Sequence, residues 1–319
     1  YWGFGFPQAR TGLVVAPVVM TVSQVLRQWL NEWQGNSAAG SRQVCFVGFS
    51  GGMDSTVLLH ALQQLQLEAE HAFDLRPLHL DHALDPQSEQ WRMQCQRFCE
   101  GLGLTLISER LPAGALRADQ SGLEAAARTA RYQFFERHIG DATDALLLAH
   151  HSDDQAETVL LRLLQGRGVL PRPAQRRLQT GQLYRPLLPL ARATLAQYAQ
   201  QQGLNWSEDP SNQSLAPDRN YLRHAVWPTL VRRWPGAGQQ LQRVADSVGQ
   251  NQAALARLLA QQPALPVQWC QGPGAVAVLR AWLGGKGEYE ATDRALGEFA
   301  RQLAVPSERT PTLQLEDGR

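Results

Sequence analysis

The sequence predicts an α/β fold: a doubly wound parallel sheet with helices on both faces, followed by a small helical domain and a C-terminal region. Three observations carry this. Short apolar, partly β-branched runs alternate with stretches whose apolar residues recur every three or four positions, the rhythm of strands and crossover helices. The first run, Val44 to Phe49, passes through Ser50-Gly51-Gly52 straight into a helical pattern of Val57, Leu58, Ala61, Leu62 and Leu65. From Gln239 to Gln261 the residues Leu241, Val244, Val248, Ala254 and Leu258 form an apolar spine with no strand beside it.

Taken in order, residues 1–40 read as a leader and an N-terminal helix, with Met20 as the expected start and Val22, Val25, Leu26, Trp29 and Leu30 on one helical face. Residues 41–209 hold the alternation. Leu78 to His82, Leu104 to Glu109, Ala145 to His150 and Leu183 to Leu188 are strands; Gln87 to Leu102, Gly122 to His138, Asp153 to Leu164 and Arg192 to Gln202 are helices. Glycine and proline mark a loop from Gly166 to Thr180. Residues 210–262 form the helical domain, opened by Asp218-Arg219-Asn220 and running through a basic helix that ends by Pro235. In 263–319 the signals weaken to a helix from Val276 to Trp282 and a strand start at Thr312 to Leu315, read as the beginning of a further domain.

The composition sets bounds. At 319 residues with 44% hydrophobic and 18% charged residues the chain can bury a sizeable core, and no apolar run is long enough for a membrane span. Four cysteines, Cys45, Cys95, Cys99 and Cys270, are too few and too irregular for a disulfide framework, so a reducing cytoplasm is the expected setting. Cys95 and Cys99 share a helical face and read as packed thiols rather than metal ligands. The net charge of +1 is unevenly spread: acids are dense from Glu68 to Glu157 and absent from Thr158 to Ser207, where seven arginines stand. Such segregation gives a basic surface suited to RNA despite a neutral total, and Arg172, Arg176 and Arg177 are its candidate phosphate contacts.

Two clusters carry the chemistry. In Ser50-Gly51-Gly52-Met53-Asp54-Ser55 the paired glycines let the backbone turn tightly and aim N–H groups at an anion on the positive end of the following helix. The chain has one lysine, Lys286, so a Walker-type loop is excluded. Read structurally, Ser50 would be an N-cap and Asp54 a charge on the helix dipole. In His150-His151-Ser152-Asp153-Asp154-Gln155-Ala156-Glu157-Thr158, Asp154 and Glu157 lie three apart on one helical face with His150 just before it. Carboxylates of this kind suit Mg²⁺, which takes oxygen ligands and bridges substrate phosphates, while His150 or Glu157 could move protons. Read structurally, this is an acidic first turn with His151 as a satisfied strand-end residue. Asp81-His82, Glu124, Arg128, Arg131 and Tyr132 are softer candidates, Glu124 and Arg128 having the spacing of an ordinary helical ion pair.

The first hexapeptide resembles the pyrophosphate loop of the ATP pyrophosphatase (PP-loop) superfamily. With the His150 to Thr158 segment and Trp206 to Asn212 plus Asp218-Arg219-Asn220, the order resembles the tRNA(Ile)-lysidine synthetase family over about residues 20–260. The resemblance implies a C–N bond-forming ligase. ATP would adenylate C2 of the wobble cytidine in tRNA(Ile) with a CAU anticodon, and the ε-amine of free lysine would displace AMP to give lysidine. It implies that Ser50, Gly51, Gly52, Met53, Asp54 and Ser55 hold the pyrophosphate and that Asp54 and Asp154 place Mg²⁺. His150, Asp154 and Glu157 would complete the adenylation site, and Arg219 and Asn220 would lie near its tRNA or lysine end. The chain departs from the family at Val169 to Pro173, at Pro217 and at Asp81. Rival readings are a cytidine thiolase on the same fold and a non-catalytic tRNA-binding relative; a homodimer stays open.

Overall fold

The computed structural model describes residues 20–35, 43–68, 73–116, 123–166, 174–207, 214–286 and 293–304. Its centre is a six-stranded sheet built from β1 (Val44–Gly48), β2 (Asp74–Asp81), β3 (Ile107–Arg110), β4 (Ala145–Leu147), β5 (Gln175–Arg177) and β6 (Gln182–Tyr184), in the order β3-β2-β1-β4-β6-β5. Every pairing is parallel except β5 with β6. The interleaved helices are α1 (Val22–Gly35), α2 (Met53–Leu67), α3 (Ser88–Gly101), α4 (Leu123–Glu136), α5 (Ser152–Leu164) and α6 (Arg192–Gln201).

The alternation along each strand assigns the faces. Cys45 and Val47 of β1, Leu75 of β2 and Ala145 and Leu147 of β4 pack with α1, α2, α3 and α6. Phe46, Leu78, Leu80, Leu146 and Leu183 point the other way, onto Phe134, Phe135 and Ile139 in and after α4. Both faces are therefore covered, as a parallel sheet requires. Strand succession runs outward from β1 to β2 and β3, then jumps back across β1 to β4, so the order reverses between β1 and β4. In open α/β sheets the crevice at the carboxyl ends of two such strands is where ligands sit.

Beyond the sheet the chain is helical. A short α7 (Asp218–Tyr221) runs into a π-helical turn (Leu222–Val226), then α8 (Trp227–Arg233), α9 (Ala237–Ala260), a 3₁₀ turn (Val267–Cys270), α10 (Ala275–Lys286) and α11 (Asp293–Ala304). α9 packs on both α5 and α10, and Cys270, Leu279 and Leu296 make a small separate core.

Three expectations change here. The loop expected through Thr180 contains β5, an exposed antiparallel edge strand carrying Arg176 and Arg177. The buried line of α9 runs through Ala245 and Leu259, whereas Val244 and Leu258 face solvent, so the expected spine is rotated by one residue. α11 occupies a stretch given no element from sequence. The strand expected at Thr312 to Leu315, the departure at Val169 to Pro173, Arg172, and the leader up to Val19 lie outside the described residues.

Candidate active site at the switch point

Three segments meet at the β1–β4 crevice: the β1–α2 loop, the β4–α5 junction and, from the helical part, α7 with its π-helical turn. The loop is tied by its own hydroxyls. Ser55 Oγ accepts from the Ser50 amide at 3.2 Å, lies 3.0 Å from Ser50 Oγ and donates to the Gly52 carbonyl at 3.0 Å. Gly52, not Ser50, is the N-cap of α2, and no side chain caps that helix. The open first turn leaves its amides for an anion, in keeping with the helix dipole.

Gly51 is needed where it stands. Its φ is +81°, and a Cβ added there would meet Cys95 Sγ at 2.6 Å. From the other side, the Ser207 amide donates to the Gly51 carbonyl at 2.9 Å, and Ser207 Oγ donates to Gln94 Oε1. The start of the Trp206 motif thus braces the loop against α3; residues 208–213 lie outside the described residues. Burial pushes the Cys95 and Cys99 thiols up to about 12, so both are packing groups in this core.

The second cluster is centred on His151. It is the N-cap of α5 and closes a capping box: its Nδ1 accepts from the Asp154 amide at 3.4 Å while Asp154 Oδ2 accepts from the His151 amide at 3.2 Å. That bond leaves Nε2 directed at carboxylates, 3.4 Å from Asp154 Oδ2 and 3.5 Å from Asp54 Oδ2. Burial alone would lower the pKa of His151, but the contact with Asp54 and the charges of Asp154, Asp54 and Asp153 prevail and raise it. Burial likewise opposes the charge on Asp154, yet His151, Arg219, His150 and Arg223 hold its carboxyl well below the usual range.

Asp154 and Glu157 share a face of α5, and two arginines from the helical part close over it. Arg219 reaches Asp154 Oδ1 at 3.0 Å and Glu157 Oε2 at 3.2 Å. Arg223 grips Glu157 with Nε at 2.6 Å and Nη2 at 2.7 Å, and also reaches Asp154 Oδ1 at 3.0 Å. Paired forks of this kind satisfy nearly all the acceptor capacity of a buried carboxylate. Asn220, next to Arg219 in α7, is half-buried.

Of the residues singled out from sequence, Asp54, Asp154, Glu157 and Arg219 therefore converge. His150 stands at the rim, where its Nδ1 accepts from Arg185 Nε at 3.0 Å. Arg176 and Arg177 lie on the edge strand β5. From sequence, neither His151 nor Arg223 carries a functional role. A histidine is an uncommon N-cap, so nothing in the spacing announces His151, whereas Arg223 stands one helical turn beyond Arg219 on the same face, a signal the sequence does carry. Asp81 is absorbed by its own turn, with Oδ1 accepting from the Ala83 amide at 2.8 Å and Oδ2 from Ser88 Oγ at 3.2 Å.

A divalent cation fits best at Asp54, whose Oδ1 is buried with no hydrogen-bond partner and gives a hard oxygen donor beside an anion-binding turn. Asp154 approaches the same imidazole edge, but its Oδ1 holds Arg219 and Arg223 and its Oδ2 the His151 amide, so it would join an ion only by exchanging those partners. Carboxylate oxygen with waters and substrate phosphates is the usual environment of Mg²⁺.

The profile of the ATP-binding PP-loop domain matches residues 20–230. The chain belongs to the PP-loop family. It is 45% identical over 241 residues to the tRNA(Ile)-lysidine synthase of Alkalilimnicola ehrlichii, covering 73% of this chain and 52% of that protein. It is 39% identical over 294 residues to the tRNA(Ile)-lysidine synthase of Pseudomonas syringae, covering 86% and 64%. The chain thus spans between about half and two thirds of the length of these curated relatives. Among solved structures, the U34-tRNA thiolase NcsA from Methanococcus maripaludis shares the fold, with a TM-score of 0.53 at 14% identity, covering 71% of this chain and 80% of that one. The β1–α2 turn already described lies within the matched PP-loop domain, a family of ATP-binding domains. Among the described residues no helix is long and apolar enough to cross a membrane.

Proposed function

We propose that this chain carries the catalytic PP-loop part of a tRNA(Ile)-lysidine synthetase acting in the cytoplasm. ATP would adenylate C2 of the wobble cytidine of tRNA(Ile) with a CAU anticodon, and the ε-amine of free L-lysine would then displace AMP. The observation that carries the reading is the joining of an uncapped, glycine-turned helix start to a buried carboxylate–imidazole cluster closed by two arginines. The names of the relatives, each a tRNA(Ile)-lysidine synthase, support the choice of acceptor.

In this reading the cytidine O2 attacks the α-phosphorus of ATP and the bond to pyrophosphate breaks. Ser50, Gly51, Gly52, Met53, Asp54 and Ser55 receive the departing pyrophosphate with amides and hydroxyls already oriented before reaction. Asp54 and Asp154 would hold Mg²⁺, which supplies charge neutralisation on the phosphates. His151 keeps those two carboxylates together. In the second step the lysine nitrogen bonds to C2, the C2–O bond breaks with AMP leaving, and the nitrogen gives up a proton. His150, at the rim of the cluster, and Glu157, inside it between two arginines, would be the groups to take it. Arg172, Arg176 and Arg177 would hold RNA phosphates, and Arg219 and Asn220 the lysine or tRNA end of the site. A cytidine thiolase is less well supported, since Cys95 and Cys99 are packed in the core.

The deciding experiment is AMP release from labelled ATP with an isoleucine tRNA transcript bearing CAU, with and without labelled lysine. AMP that depends on both, with lysine label retained on the RNA, is the expected result. AMP that needs RNA but not lysine would keep adenylation and move the search to another nucleophile. Asp54→Ala is expected to abolish AMP formation while tRNA affinity stays within about threefold, because the missing oxygen belongs to the phosphate end of the site. Full activity in that variant would remove Asp54 from the metal assignment.

A further inference from the structure

α4 runs back across the sheet from the carboxyl ends of the strands, so its first turns stand beside the crevice and its later turns, with Phe134 and Phe135, lie in the core. On the crevice end, Arg128, Arg131 and Tyr132 fall on one face at three- and four-residue spacing. Opposite them, β6 ends at Tyr184 and the next residue is Arg185, whose amide donates to the Ala174 carbonyl at 2.8 Å and so pins the start of the β5 hairpin. That hairpin carries Arg176 to the same place.

Three guanidiniums, those of Arg128, Arg176 and Arg185, are organised around one phenol, and that of Arg131 stands beside them on His82. Arg128 lies 5.1 Å above the Tyr132 ring and its Nη2 is 3.4 Å from the hydroxyl; Arg176 also lies 5.1 Å from the ring centroid. Arg185 is only 4% exposed and donates Nε to His150 Nδ1 at 3.0 Å. Arg131 Nη2 lies 3.3 Å from His82 Nε2, an imidazole kept neutral at ordinary pH. Burial lowers the pKa of Arg185; Tyr132 opposes that and Arg128 and Arg176 add to it, so these like charges act on one another directly. Cations drawn together around an aromatic ring at the mouth of a nucleotide site are held in a geometry that a multiply bonded anion would stabilise.

We infer that Arg128, Arg176 and Arg185, gathered about Tyr132 beside His150 and flanked by Arg131 on His82, form a receptor for a phosphate group. This deepens the reading above and rests on it for the choice of RNA as probe. The phosphate can come from the RNA backbone next to the modified nucleotide or from the nucleotide triphosphate, and the two sources separate in one set of measurements. Exposed Arg128 and Arg176 face outward, where an RNA strand would pass, while buried Arg185 fixes the inner edge next to His150.

The test uses the full chain and Arg128→Ala, Arg176→Ala and Arg137→Ala, all three exposed on the surface, the last at the far end of α4 and ion-paired to Glu109. Binding of the CAU transcript is followed by fluorescence anisotropy across a salt series, and ATP binding by equilibrium dialysis. Arg128→Ala and Arg176→Ala are each expected to weaken RNA binding about three- to tenfold and to flatten the slope of log affinity against log salt by about one, with Arg137→Ala unchanged. Weakened ATP binding with intact RNA binding would keep the receptor and assign its phosphate to the nucleotide. Both bindings unchanged in both variants would overturn the receptor. Lysine-dependent AMP release by the unaltered chain is measured alongside: its absence would sink the ligase reading while a lost RNA contact still upheld the receptor, and its presence with unaltered binding in the variants would do the reverse.

Discussion

Glu157 is 2% exposed, and its two oxygens are divided between Arg219 and Arg223. A carboxylate so placed is stabilised only while a guanidinium faces it, because desolvation of the lone charge is expensive. Arg223→Ala is therefore expected to lower unfolding free energy by about 2 kcal/mol, and by much less in a Glu157→Ala background; urea titrations of the four chains would show the coupling. Additive effects would mean the pair contributes nothing specific. His82 makes a pH prediction. Burial first, and the Arg131 charge second, lower its pKa to about 4 from the ordinary 6.5. Between those values the unfolded chain takes a proton that the folded chain refuses, so this group removes stability as pH falls through that window and contributes nothing above it. His82→Gln is expected to lose less stability than the parent between pH 6.5 and pH 4 in urea midpoints; equal losses would exclude His82 as a source. At this scale the sequence is readable where residue type and chemistry coincide, as at Asp54 or Asp154. It was opaque at His151, whose importance comes from a cap geometry that no spacing rule announces.

The β1–α2 turn shows how an element imposes its own requirements. Gly51→Ala would place a methyl at 2.6 Å from Cys95 Sγ and force a side chain onto a φ of +81°. The expected result is a loss of ATP affinity of about tenfold or more, equivalent to roughly 1.4 kcal/mol, measured by equilibrium dialysis. Adding Cys95→Ala clears the sulfur but not the backbone, so only part of the loss should return. Complete recovery would show that contact with the sulfur, not the dihedral, sets the requirement. The turn and its flanking strand and helix were legible because an apolar run, two glycines and a helical repeat follow one another without a break. β5 was not, since its three residues are all exposed and it exists only through pairing with β6. For α9, the apolar residues of the sequence include an outward pair, Val244 and Leu258, and the buried line passes through the small Ala245 instead. Hydrophobicity marks the helix there, but the partner surface decides its rotation.

At the scale of the molecule, strand order was the missing information. The alternation of elements fixes a parallel sheet, yet nothing local says that the chain returns across β1 after β3, and that jump is what brings the PP-loop and the α5 junction to one crevice. The closing arginines were harder still, since they arrive from more than sixty residues downstream of Glu157. Their arrival has a consequence for modularity. A fragment ending at residue 217 would retain all six strands of the described sheet and the β1–α2 turn, but the face of α5 bearing Asp154 and Glu157 would open to water and both side chains would regain their rotamers. Such a fragment, if it folds, is expected to bind ATP and yet release no AMP with tRNA and lysine; AMP release at the rate of the full chain would show that the arginines are dispensable. The seam between sheet and helices therefore runs through the candidate site: the sheet side alone is expected to hold the nucleotide, and only the two sides together to turn it over.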